Sequence, residues 1–147
     1  MIKLELLGVG TNAKTIKGDG SEYLTAILYL APADIVEGIN VCPMAIVAGC
    51  KAGCLYSAGR GAFNNVQQAR KRKTILWRDN RDMFLALLHE DLTKFKNYCI
   101  RKGIKPVVRL NGTSDIRWEN YIDMSKFDAI QFYDYTKILN RRGLASN

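Results

Sequence analysis

The sequence predicts an α/β fold on a parallel or mixed sheet, with an N-terminal strand or hairpin. Three observations carry this. There is an apolar, partly β-branched run at 23–32, a capped amphipathic helix from about Asn80 to Lys102, and two further strand-like segments at 105–115 and 127–137. Strands separated by helical intervals of this length point to βαβ units and parallel pairing. Crossovers of that kind are almost always right-handed.

The elements follow in order. "GDGSE" (18–22) is a turn signal between two short segments. "YLTAILYLAP" (23–32), closed by Pro32, reads as a buried strand. The window "NVCPMAIVAGCKAGCLYSAGRG" (40–61) has glycines at 49, 53, 59 and 61 and reads as a loop with short helical turns. "NNVQQARKRKTILW" (64–77) is a modestly amphipathic helix that Asn64 or Asn65 can cap. The helix from about Asn80 to Lys102 is clearer. Asp79 can cap it, and Asp82 lies in the first turn, where a carboxylate suits the helix dipole. Phe84, Leu88, Leu92, Phe95 and Cys99 fall at spacings of 4, 4, 3 and 4 and make one apolar face. Gly103 stops the helix in the position glycine favours. "KPVVRLNGTSD" (105–115) and "FDAIQFYDYTK" (127–137) read as strands, with "IRWENYIDM" between them as a loop or short helix.

Strand parity separates two faces. Val108 and Leu110 point one way, and Val107, Arg109 and Asn111 the other. Ile130, Phe132 and Asp134 share one side, and Gln131, Tyr133 and Tyr135 the other. Polar residues gather at the C-terminal ends, from Asn111 to Asp115 and from Tyr133 to Lys137. Sites in α/β sheets and barrels are built there. This predicts a cleft with Arg109, Asn111, Thr113 and Tyr133 as ligand- or anion-binding residues. Arg109 and Lys137 would hold an anionic group, and Asp115 would orient a ligand or accept a proton. Asp115 and Lys137 are the catalytic candidates. The plainer alternative is a set of solvated strand tips.

The 147 residues are read as one domain, 1–147, with a basic tail at about 138–147. No stretch approaches the roughly 18 apolar residues of a membrane span, and "MIKLELLGVG" lacks the apolar run and cleavage site of a signal peptide. A cytoplasmic location is therefore expected, where disulfides are rare. The formal net charge is +8, which suits an anionic partner such as nucleic acid, a nucleotide or an acidic protein face, or simply a basic soluble chain. Arg60, Arg70, Lys71, Arg72, Lys73, Arg78 and Arg81 cluster near Phe63 and Trp77. Basic residues among aromatics form phosphate-and-stacking surfaces in nucleic-acid binders, and a solvated helix face is the alternative. A P-loop and a Gly-x-Ser-x-Gly elbow are both absent, and a single histidine gives a Ser-His-Asp triad no local support.

The cysteines carry the remaining chemistry. Cys42, Cys50 and Cys54 are spaced Cys-x7-Cys-x3-Cys. Three close thiolates with intervening glycines can converge on one metal or cluster. With one position open they suit a four-iron cluster better than zinc, which wants a fourth ligand. Buried free thiols are the alternative. Cys99 lies on the apolar helical face and reads as core. His89 lies off that face and reads as solvated.

Taken in order, "GTNAKT", "CPMAIVAGCKAGCLYSAGRG", "RLNGTSDIRWE" and "FYDYTK" resemble a bacteriophage family of unknown function, gene product 88. The resemblance covers nearly all of residues 8–139. That family is in turn similar to radical S-adenosylmethionine enzymes and their phage lookalikes, which use a partial (β/α) barrel. The resemblance implies a half β/α barrel with an iron–sulfur cluster or other metal on Cys42, Cys50 and Cys54. The usual radical-enzyme spacing is Cys-x3-Cys-x2-Cys, so the spacing here argues against S-adenosylmethionine cleavage and leaves cluster binding open. The chain also ends soon after "YDYTK", where the family continues with further strands. An open half-barrel of this kind exposes a sheet edge and is expected to pair with another copy.

Overall fold

The computed structural model describes residues 2–9, 23–31, 35–41 and 64–134. Its strands form one mixed sheet in the order β1-β2-β3-β4. β1 (Leu7–Val9) pairs antiparallel with β2 (Tyr23–Leu28), with Leu7 opposite Leu28. β2 runs parallel to β3 (Lys105–Arg109), with Ile27 opposite Arg109. β3 runs parallel to β4 (Gln131–Phe132), with Val108 opposite Phe132. The mixed α/β architecture and the antiparallel N-terminal strand agree with the sequence reading. The turn at 18–22, the cysteine window from residue 42 and the tail at 138–147 lie outside the described residues.

Two helices connect β2 to β3. Helix α1 spans Asn64–Asp79 and helix α2 spans Arg81–Lys102. Asn80, not Asp79, caps α2, accepting from the Met83 N–H at 3.2 Å. Asp79 is taken instead by the Arg78 guanidinium, whose two nitrogens lie 2.7 and 3.0 Å from its carboxylate. At the other end Gly103 adopts φ 67°, a left-handed conformation that glycine enters without a Cβ penalty. The predicted apolar stripe holds completely: Phe84, Leu88, Leu92, Phe95 and Cys99 are fully buried. They pack in one core with Ala26, Leu28, Val108, Leu110 and Phe132 on the sheet.

The last predicted strand is shorter than expected. Met124–Phe127 forms a 3-10 helix because the Asp123 carboxylate accepts from the Ser125 N–H and turns the chain. Sheet pairing begins only at Gln131. A second 3-10 turn, Trp118–Asn120, falls in the segment read as a loop or short helix.

Two features hold the strand ends. Helix α1 crosses the C-terminal end of β2. Arg70 lies over the Tyr29 ring, Thr74 accepts the Ala31 N–H at 2.8 Å, and Trp77 packs on Trp118 at 4.9 Å. The buried Asp91 carboxylate of α2 accepts the N–H groups of Glu5, Leu6 and Leu7 at 3.0, 2.7 and 3.0 Å. Lys73 donates to the Leu6 carbonyl at 2.8 Å, so β1 is gripped through both kinds of backbone group. No helix among the described residues is long and apolar enough to cross a membrane.

Candidate functional site

The segment after β3 is built around one amide. Asn111 is 1% exposed, and its side chain makes five hydrogen bonds. Its Nδ2 donates to the Ile116 carbonyl at 2.8 Å and to the Asp134 carboxylate at 2.6 Å. Its Oδ1 accepts from the Ser114 hydroxyl, the Ile116 N–H and the Trp118 indole at 2.8, 3.0 and 2.9 Å. An amide has two N–H donors and one carbonyl oxygen, so Asn111 is fully committed to shaping the loop. Strand parity places Asn111 and Asp134 on opposite faces. They meet because the strand ends at Arg109 and the chain turns.

The next residues tie this loop to the chain leaving β2. Gly112 donates to the Leu28 carbonyl at 3.0 Å. A Cβ at this position would lie 2.7 Å from atoms of Ile27, Leu28 and Tyr29, so only glycine permits the approach. The buried Thr113 hydroxyl donates to the Leu30 carbonyl. Asp115 is buried, and its N–H donates to the Val41 carbonyl at 2.8 Å. Val41 is the last described residue before Cys42.

The opposite face of the sheet carries charge. Arg109 is 9% exposed and stands beside Ile27. The Tyr133 N–H reaches the Val108 carbonyl at 3.1 Å, extending the parallel pairing past β4 and setting Tyr133 beside Arg109. Arg70, 7% exposed, places its guanidinium carbon 4.6 Å from the Tyr29 ring centre. Burial pushes the Tyr29 phenol above its ordinary pKa, against the pull of the Arg70 and Arg109 charges. Tyr29 escaped the sequence reading, although it lies two residues beyond Ile27 and so shares the Arg109 face by simple alternation. By sequence alone Arg70 belongs to the basic run.

That run divides in space. Arg70 and Lys73 turn inward, Arg72 is exposed and Lys71 is half-buried. Arg78 bonds Asp79 and the Glu37 carbonyl. Arg81 lies over Trp77 and Tyr121, at 4.2 and 5.5 Å from the ring centres. Cys42, Cys50, Cys54, Arg60 and Lys137 lie outside the described residues. Among the described residues no group of three His, Cys, Asp or Glu side chains is placed to hold a metal ion. Cys99 is core, as read. His89 is exposed and meets the edge of Phe127 at 5.0 Å, beside a cleft of about 310 Å³ under Tyr121 and Ile122.

Among known proteins, the model of the family described as gene product 88 matches residues 5–147. No curated protein and no solved structure matches the chain.

Proposed function

The chain belongs to the gene product 88 family, and from that premise we propose that it is a phage accessory protein that binds a metal or iron–sulfur cluster through Cys42, Cys50 and Cys54. The polar strand-end cleft would lie beside that group. The observation that carries this reading is the Asp115–Val41 hydrogen bond. It tethers the residue that precedes Cys42 to the loop that follows β3, so the window departs from the end of the sheet where sites form. The donor set fits: three thiolates leave one coordination position open, as clusters and catalytic metal centres require.

Bound there, such a group would supply redox or Lewis-acid chemistry. The chain's own part is to position a ligand. Arg109 and Tyr133 share one face of the sheet at its C-terminal end, and Asn111, Gly112 and Thr113, which hold the loop after β3, would frame the cleft. The likeness to radical S-adenosylmethionine enzymes belongs with this proposal, and the Cys-x7-Cys-x3-Cys spacing argues for binding rather than cofactor cleavage. Nucleic-acid binding draws less support, because Arg70 and Lys73 face inward and only part of the basic run meets solvent.

Anaerobic purification followed by iron, sulfide and zinc analysis tests the reading. A stoichiometric metal lost in Cys42→Ser, Cys50→Ser and Cys54→Ser is expected. A stably folded, metal-free protein with unreactive thiols at these positions would overturn it.

A further inference from the structure

The second sheet face concentrates positive charge where a parallel sheet is ordinarily apolar. Ile27, Arg109 and Tyr133 are lateral neighbours across β2, β3 and the end of β4. Neighbouring strands lie about 4.8 Å apart. Tyr29 follows Ile27 on the same face, and Arg70 reaches it from α1. Arg70 thus lies over a half-buried tyrosine whose phenol also feels the Arg109 charge, and each of the two arginines is no more than 9% exposed.

We propose that Arg70 and Arg109, with the phenols of Tyr29 and Tyr133, form a receptor for the phosphoryl group of a small ligand. A guanidinium presents a planar fork of N–H donors that matches phosphate oxygens two at a time. Two such forks answer a dianion better than a single carboxylate. The phenol O–H groups add neutral donors at the rim, and partial burial strengthens every one of these contacts relative to water. Their place at the C-terminal ends of parallel strands is where open α/β sheets bind ligands. The proposal rests on the strand-end cleft of the reading above, and not on its metal.

The test uses the full chain, titrated with inorganic phosphate and pyrophosphate at constant ionic strength. Thermal unfolding and calorimetry are the readouts, with acetate as the control anion. Saturable stabilisation by phosphate but not acetate is expected. Arg70→Gln and Arg109→Gln should weaken it roughly 10- to 100-fold, the worth of lost charge-assisted bonds. Arg109→Lys, which keeps the charge and loses the fork, should weaken it about tenfold. The exposed Arg101→Gln and the Cys42→Ser variants should bind like the wild type. Should Arg109→Gln fail to fold, Tyr133→Phe and Tyr29→Phe remain, each weakening binding several-fold. No saturable response, equal response to acetate, wild-type binding in the arginine variants or in both phenylalanine variants, or loss in Cys42→Ser would each overturn the receptor. Metal content measured on the same samples separates this result from the fate of the cysteine reading.

Discussion

Replacing Asn111 puts the strand-end loop to its hardest test. Asn111→Ala deletes five hydrogen bonds at a site 1% exposed. The Ser114 hydroxyl can rotate to a new partner, but the Ile116 N–H and the Trp118 indole cannot. Each buried donor left unmade costs about 1–3 kcal/mol, so the pair alone predicts a loss of about 4 kcal/mol. That is a large share of the roughly 5–15 kcal/mol by which domains are stable. Asn111→Asp is the sharper probe. It preserves shape and the accepted bonds, but it places a carboxylate where Nδ2 now lies 2.6 Å from the Asp134 carboxylate. Mutual repulsion raises the folded-state pKa of the pair above its unfolded value. The folded variant then holds a proton that the unfolded chain has released, so stability falls as pH rises through the folded pKa. Urea unfolding followed by tryptophan fluorescence should show Asn111→Asp close to wild type near pH 4 and well below it at pH 7. An Asn111→Ala loss under about 1 kcal/mol, or a pH-independent gap for Asn111→Asp, would refute the assignment of Asn111 as the hub.

Three other outcomes follow from the same geometry. Burial, with Arg70 close by, brings the Lys73 ammonium from 10.5 down to about 8. Between those values the unfolded chain binds more protons, so stability should rise with pH across that window, by at most about 3 kcal/mol; the difference between wild type and Lys73→Met in urea midpoints isolates this rise. Burial pushes the Cys99 thiol up to about 11. In a Cys42, Cys50 and Cys54→Ser background, a thiol reagent at pH 8 should therefore label nothing until denaturant is added, and rapid native labelling would contradict the core assignment. Gly112→Ala drives a Cβ to 2.7 Å from the β2 backbone and side chains, which predicts about 1–3 kcal/mol of destabilisation. Amide exchange should accelerate at residue 112, and unchanged protection there would count against the close approach.

Local periodicity made α2 legible. Spacing alone named Phe84, Leu88, Leu92, Phe95 and Cys99, and the left-handed Gly103 followed from a single letter. Strand parity likewise separated Val108, Leu110, Ile130 and Phe132 from Arg109 and Tyr133. What stayed hidden depends on distant partners. Asp91 looks like an ordinary helix carboxylate, yet its three donors lie 84 to 86 residues away. Arg70 and Lys73 look like members of a solvated run until Tyr29 and Leu6 are placed against them. In "NGTSD" the residue types suggested a ligand site. The structure spends Asn111 and Thr113 on holding the loop and sets Arg109 and Tyr133 side by side on the other face of the sheet. The cap moved by one residue, to Asn80, because Asp79 has Arg78 beside it.

The grip of Asp91 on the N-terminal strand also sets a timetable. On the ribosome, the N–H groups of Glu5, Leu6 and Leu7 emerge 84 to 86 residues before the carboxylate that receives them. At about 5–20 residues per second, that is a wait of roughly 4 to 17 seconds. A loop of this length is slow to close; pairing with β2 is available sooner, but the carboxylate that receives these N–H groups is not there until α2 exists. The first strand made therefore waits for its carboxylate grip long after its partner strand has emerged. Any ligand that favours the finished sheet acts on a nascent chain whose N-terminal grip has been incomplete throughout that interval.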